Sequence, residues 1–168
     1  MSDRGPFNGR ALIEALISAE VRFVVIGGLA VIAHGHARTT DDLDIVPDPD
    51  KKNLERLASV LNTLDYRLPG LDEFDPDELV KPDLEALVAG GNWVLSTRFG
   101  GLDILQFVKP DLDYVLLAAE AIEDRVFGLP VQFCSYRHLV EMKRAAGRPV
   151  DIGDLEALRE IHGDDGDS

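Results

Sequence analysis

Residues 26–46 read IGGLAVIAHGHARTTDDLDIV, and this stretch decides the fold. A short apolar, β-branched run over 21–26 ends in Gly27-Gly28, and thirteen residues then separate Gly28 from the acidic pair Asp42-Leu43-Asp44. The pattern predicts a buried strand over 21–26, a helix over 29–34 beginning right after the glycines, and a second strand over 43–46 closed by Pro47 and Pro49. A strand running into paired glycines and then a helix suits an anion such as phosphate. Without Cβ atoms the backbone can approach a ligand closely, and free N–H groups at a helix start face it. The same pair also serves a tight turn, and the glycines alone do not choose between the two.

The acids add a second constraint. Side chains alternate across a strand, so Asp42 and Asp44 share one face while Leu43 and Ile45 point into the core. Two carboxylates on one face repel. At an exposed edge, water solvates them. In a cleft, a divalent cation is the natural compensation, and magnesium prefers carboxylate oxygens together with phosphate oxygens. A third acid sits in a similar setting: FGGLDILQF, residues 99–107, carries Asp103 between Leu102 and Ile104. If that strand neighbours the Asp42/Asp44 strand, three carboxylates surround one point. Such a set holds two ions, Mg2+ or Mn2+, which orient a triphosphate and activate a hydroxyl for in-line attack. Gly27-Gly28 would then hold the triphosphate from the other side.

Outward from this stretch, the 168 residues suffice for one domain with a real core, and the 45% hydrophobic content fits a globular chain. No apolar run reaches the roughly 18 residues that span a membrane. The N-terminal MSDRGPFNGR lacks the apolar stretch of a signal peptide, and Cys134 is the only cysteine, so a reducing cytoplasm is the expected location. The formal net charge of −14 repels nucleic acid at long range and argues against a protein that coats DNA or RNA.

Helices are predicted over 8–20, 51–64, 112–120, 136–146 and 151–161, with a break at Arg148-Pro149. Strands are predicted over 93–98 and 102–108 around Gly100-Gly101, and a hairpin over 122–127 and 131–134. Residues 66–90, rich in proline and acid, read as loop with short helices. The result is a small α/β (α+β) domain over 1–161 with a mixed, largely antiparallel sheet and flanking helices, followed by an acidic tail over 162–168 expected to fray.

Ile-Gly-Gly followed at this distance by Asp-Leu-Asp-Ile resembles the signature of the nucleotidyltransferase superfamily, the polymerase-β-like fold. More closely, Gly27, Gly28, Ala30, Arg38, Thr40, Asp42 and Asp44 resemble the Gly-Gly-x-Ala and Arg-x-Thr-x-Asp-x-Asp motifs of small bacterial AbiEii-type toxin nucleotidyltransferases. The ending LVEMKRAAGRPVDIGDLEAL resembles that group's C-terminus through Lys143, Arg148, Asp151 and Asp154. The resemblance covers 21–46, 100–107 and 136–158; residues 66–90 match nothing useful.

The resemblance implies an enzyme that moves a nucleoside monophosphate from an NTP, such as ATP, to a hydroxyl. Asp42, Asp44 and Asp103 would be catalytic and hold the metal. Gly27, Gly28, Arg38, Thr40 and Lys143 would bind nucleotide. It also implies tRNA, protein or a small molecule as acceptor, and a toxin–antitoxin or phage-defence setting with a cognate antitoxin as partner.

Each of these residues has a plainer reading. Arg38 could pair with Asp41 or another neighbour, Thr40 could shape the turn, and Lys143 could be a solvated helix lysine. Asp151 could cap the last helix. His34 and His36 suit oxygen-loving metals poorly. Trp93 and Phe107 read as core, the Asp72–Glu78 run as a solvated loop, and Cys134 has no basic neighbour to activate it. The alternative to an enzyme is a nucleotide-binding or partner-binding module of the same fold without turnover.

Overall fold

The structure, a computed structural model, describes residues 4–71 and 73–163. Asp72, expected in a solvated loop, and residues 164–168 of the tail expected to fray lie outside the described residues. Among the described residues, seven α-helices accompany six strands in one sheet of order β3-β4-β2-β1-β6-β5.

Helix α1 (Gly9–Ser18) starts where the Asn8 side chain accepts from the Ala11 amide, and it buries Leu12, Ile13 and Leu16. Its buried positions recur at helical spacing, which is what ties this segment to the sheet. Strand β1 (Phe23–Ile26) is buried along its whole length. Helix α2 (Gly27–Ala33) begins at the first glycine rather than after the pair. Strand β2 (Asp42–Pro47) pairs antiparallel with β1, setting Ile26 opposite Asp44.

Helix α3 (Lys51–Leu61) turns Leu54, Leu57 and Leu61 inward. Its fully buried Asn53 is pinned to the β1 entry: the side chain accepts from Arg22 N at 2.7 Å and donates to Arg22 O and Asp48 O at 2.9 Å each. A buried amide that satisfies three backbone groups in this way fixes α3 against the loop after β2.

The 66–90 stretch holds a 3-10 turn at Pro76–Glu78 and helix α4 (Leu84–Ala89), capped by Asp83 on the Ala86 amide. Strands β3 (Asn92–Thr97) and β4 (Gly100–Leu105) form an antiparallel pair. Because β4 ends at Leu105, Phe107 falls beyond the sheet. It is 66% exposed, which corrects its expected core role, whereas Trp93 is buried as anticipated. Helix α5 (Tyr114–Ala119) precedes the edge hairpin β5 (Ile122–Val126) and β6 (Leu129–Phe133). Helix α6 (Tyr136–Ala146) is capped by Ser135 on the His138 amide and stops at Gly147 in the left-handed conformation. Helix α7 (Pro149–His162) opens with proline at its first turn, packs on α6 and extends one residue past the expected end at 161.

The largely antiparallel sheet is as expected. The pairing that matters most is nevertheless parallel: β2 lies beside β4, with Asp42 opposite Gly101, Leu43 opposite Leu102 and Asp44 opposite Asp103. Leu43, Ile45, Leu102 and Ile104 are fully buried, so the two strands share one core face and turn their acids to the other. No helix among the described residues is long and apolar enough to cross a membrane.

Candidate active site

The parallel β2–β4 register gathers three carboxylates. Ligand oxygens of Asp42, Asp44 and Asp103 all lie within 4.8 Å of one another, and each side chain is partly buried. Burial and crowding raise two of these carboxyls, Asp44 and Asp42. Burial, then the charges of Asp42 and Asp103, push the Asp44 carboxyl well above the ordinary carboxylate range. Burial and the charge of Asp103 also raise Asp42, against the pull of Arg4. Acids that resist ionising in one another's company create demand for a cation.

Within the chain that cation is Arg4, which no sequence motif singles out. Its Nη2 donates to Asp42 Oδ2 at 2.7 Å, and its Nη1 donates to Asp103 Oδ1 and, at 3.2 Å, to the Leu95 carbonyl. The Arg4 side chain is only 12% exposed. One positive charge faces three carboxylates, so the compensation is incomplete.

Gly27 and Gly28 stand beside the acids. Gly27 has φ +70°, and a Cβ there would meet Asp44 Oδ2 at 2.0 Å. A Cβ on Gly28 would meet Thr40 Oγ1 at 2.6 Å and an Arg38 guanidinium nitrogen at 3.2 Å. Both glycines are therefore demanded by the chain's own side chains, whatever ligand approaches them. Thr40 donates to the Asp42 carbonyl at 3.3 Å, at the entry of β2.

Arg38 and Lys143 meet at a second acidic centre on α7. Arg38 donates through Nη2 to Asp154 Oδ2 at 3.0 Å, and its Nε lies 2.8 Å from Oδ1 without hydrogen-bond alignment. Buried Lys143 sits 3.0 Å from both Asp151 and Asp154. Arg148 closes the network, its Nε donating to Asp151 Oδ2 at 2.7 Å. Asp151 also accepts from the Arg148 amide at 3.1 Å, the capping role expected of it. Burial works to raise the Asp151 carboxyl, but Arg148 and Lys143 win and hold it at about 2. Arg148 is 67% exposed and lies within electrostatic reach of Asp44 and Asp42.

The histidines go elsewhere. His34 bonds the Cys134 carbonyl at 2.8 Å, and His36 lies 4.0 Å from Asp154. Burial pushes the Cys134 thiol up to about 12, so no thiolate is at hand. Among the described residues the carboxylate cluster is the one group able to hold a metal, and its all-oxygen donor set fits a hard divalent cation such as Mg2+ or Mn2+.

No protein-family profile matches the chain, and no curated protein sequence matches it. Solved structures do. The lincomycin-bound lincosamide antibiotic adenylyltransferase LnuA matches with a TM-score of 0.62 at 14% identity, over 94% of this chain and 99% of that one. ANT(2")-Ia, in complex with adenylyl-2"-tobramycin, matches with a TM-score of 0.58 at 16% identity, over 92% and 87%. An antigenic nucleotidyltransferase-like protein from Paracoccidioides brasiliensis matches with a TM-score of 0.54 at 19% identity, over 94% and 79%. Identities this low carry architecture alone, and that architecture is shared along nearly the whole length of the chain, which has the nucleotidyltransferase fold.

Proposed function

We propose that the protein is a metal-dependent nucleotidyltransferase that moves a nucleoside monophosphate from an NTP to a hydroxyl acceptor and releases pyrophosphate. One observation carries the reading: Asp44 and Asp103 stand directly opposite each other on parallel strands, with Asp42 two residues away on the same face. A parallel pair needs a long connection, here residues 48–99, so the convergence is built by the whole fold and not by a local turn.

In this reading Asp42 and Asp44 hold the cations, and Asp103 serves the end of the site where the acceptor hydroxyl arrives. Bound divalent ions supply charge neutralisation of the triphosphate and activation of the attacking hydroxyl. Gly27 keeps the β1–α2 backbone against Asp44 and Gly28 keeps it against Thr40 and Arg38, and the triphosphate would approach the acids past this backbone. Arg148 offers an exposed guanidinium to the triphosphate. Arg38, Thr40 and Lys143 act one step back, by fixing the β2 entry and Asp154, so they bind nucleotide through the shape they hold.

For the acceptor, a small hydroxyl-bearing molecule is favoured over RNA. LnuA and ANT(2")-Ia are described with antibiotics bound, and a formal net charge of −14 repels a polyanion. The test incubates the protein with Mg2+ or Mn2+ and each of four α-labelled NTPs. A panel of small polyhydroxylated compounds, total RNA or cell lysate serves as acceptor, with Asp44→Asn as control. A labelled small product supports the proposal in full. Labelled RNA or protein keeps the transferase and replaces the acceptor, restoring the toxin-type setting with its antitoxin. Tight NTP binding without any product makes the protein a binding module.

A further inference from the structure

The N-terminal segment is seated on the carboxylate cluster, and its seat is built into the β3–β4 hairpin. While the Arg4 side chain reaches Asp42 and Asp103, its carbonyl accepts from Ser96 Oγ at 3.2 Å, and the Asn8 amide donates to the Phe99 carbonyl at 2.8 Å. The two glycines at the hairpin's tip make room for it. A Cβ on Gly100 would stand 2.8 Å from Phe7 Cα and 3.0 Å from the Pro6 carbonyl oxygen, and a Cβ on Gly101 would stand 2.6 Å from Arg4 Cζ. Gly100 also needs its positive φ of +98°. Gly101 has no such need, and in this structure the atoms that crowd its missing Cβ are those of the Arg4 guanidinium.

We infer that residues 4–8 form an autoinhibitory strap: the Arg4 guanidinium occupies the cation position among Asp42, Asp44 and Asp103 and leaves it when a divalent metal binds. The inference rests on the proposed metal site. A guanidinium held on Asp42 Oδ2 and Asp103 Oδ1 would lie within a few ångströms of a divalent ion seated among the same three acids, and the two positive charges repel, so they compete. One resident charge of +1 against three acids makes a closed state that keeps the unloaded site from flying apart electrostatically. A divalent ion, with triphosphate behind it, replaces that charge with a larger one. The apparent metal affinity is then lowered by the fraction of molecules whose strap is open.

Binding of Mn2+ alone, followed by calorimetry and by electron paramagnetic resonance, tests this in the wild type, Arg4→Ala and Gly101→Ala. Arg4→Ala removes the resident cation; Gly101→Ala keeps it but pushes it out of its seat. If about one molecule in ten is open, both variants bind Mn2+ about tenfold more tightly than the wild type. In the unaltered protein, phenylglyoxal labelling of Arg4, read by peptide mass, is slow without metal and accelerates when Mn2+ saturates the site. This arm holds even if a variant fails to fold. Equal Mn2+ affinity in all three proteins, or weaker binding in the variants, overturns the strap while leaving the metal site standing. So does Arg4 labelling that ignores metal. Absence of Mn2+ binding from every protein removes the metal site and the strap together.

Discussion

Two acidic centres lie on either side of Gly27-Gly28, and they are built from the same residue type to opposite effect. On the sheet, Asp42, Asp44 and Asp103 gather around Arg4, with Arg148 only within electrostatic reach, and Asp44 is held well above the ordinary carboxylate range. On α7, Asp151 and Asp154 face Lys143, Arg38 and Arg148, and Asp151 is held at about 2. The α7 centre is closed: its charges are paired within the chain, so it joins α6, α7 and the β2 entry. The sheet centre is open: Arg4 bonds two of its three acids, and in the proposed reading a divalent cation supplies the remaining charge. Burial raises the carboxyl at both centres; the charge within a few ångströms decides whether that rise stands, as at Asp44, or is overturned, as at Asp151.

The largest effect that can break this contrast is on turnover. Asp44→Asn should reduce nucleotidyl transfer by several orders of magnitude, since a neutral amide oxygen holds a divalent ion far more weakly than a carboxylate does. Its melting temperature without metal should stay level or rise, because one repelling charge is gone. A clear fall in apo stability would show that the sheet centre is structural after all.

Lys143→Ala should do the reverse. It strands two buried carboxylates at α7, and breaking a buried pair costs about 3–5 kcal/mol. The lower end is expected here, because Arg148 and Arg38 still reach Asp151 and Asp154. Chemical denaturation measures the loss. A variant as stable as the wild type, with a raised KM for NTP, would turn Lys143 back into a phosphate ligand.

A smaller effect sharpens the contrast in the wild type. Mg2+ with NTP at about 100 times Kd should stabilise the protein by about 2.7 kcal/mol. For a chain of this size that is a rise in Tm of roughly 5–10 °C. Mg2+ alone should give less, because phosphate supplies part of its coordination. Thermal melts in EDTA, Mg2+, and Mg2+ plus each NTP read it directly, and one melting temperature in every buffer would remove the site.

The smallest effect is in pH. Asp151 is lowered to about 2 in the folded chain, so it contributes stability that is present above its unfolded value of about 3.9 and is lost as pH falls through about 2. Asp44 is raised, so its contribution runs the other way: it favours the fold while protonated and is lost as pH rises past its ordinary value. Denaturation from pH 2 to 8 should therefore show an acid limb that Asp151→Asn flattens and a rising-pH loss that Asp44→Asn flattens. A single variant removing both limbs would mean that the two centres titrate as one.

Much of this was legible in the chain, for local reasons. The alternation of Asp42, Leu43, Asp44 and Ile45 follows from the period of a strand, and the structure buries Leu43 and Ile45 completely. Strand, paired glycines, helix and strand came in the expected order, with α2 starting at Gly27 because Gly27 itself takes the positive φ that turns β1 into it. Phe107 was misplaced because hydrophobicity does not mark where pairing stops: its backbone N–H is taken by the Asn92 side chain just past the end of β4.

What the sequence determined by itself is the set of elements and which residues share a face of each. These depend on neighbours two to four positions apart, and backbone geometry dictates them. The tertiary structure alone decided who meets whom. Arg4 lies 38 and 99 residues from Asp42 and Asp103, and Arg38 lies 116 residues from Asp154. No periodicity spans such distances. The parallel register that sets Asp44 against Asp103, and the charge balance that leaves one acidic centre open and closes the other, exist only once the core has packed both strands and the last two helices into place.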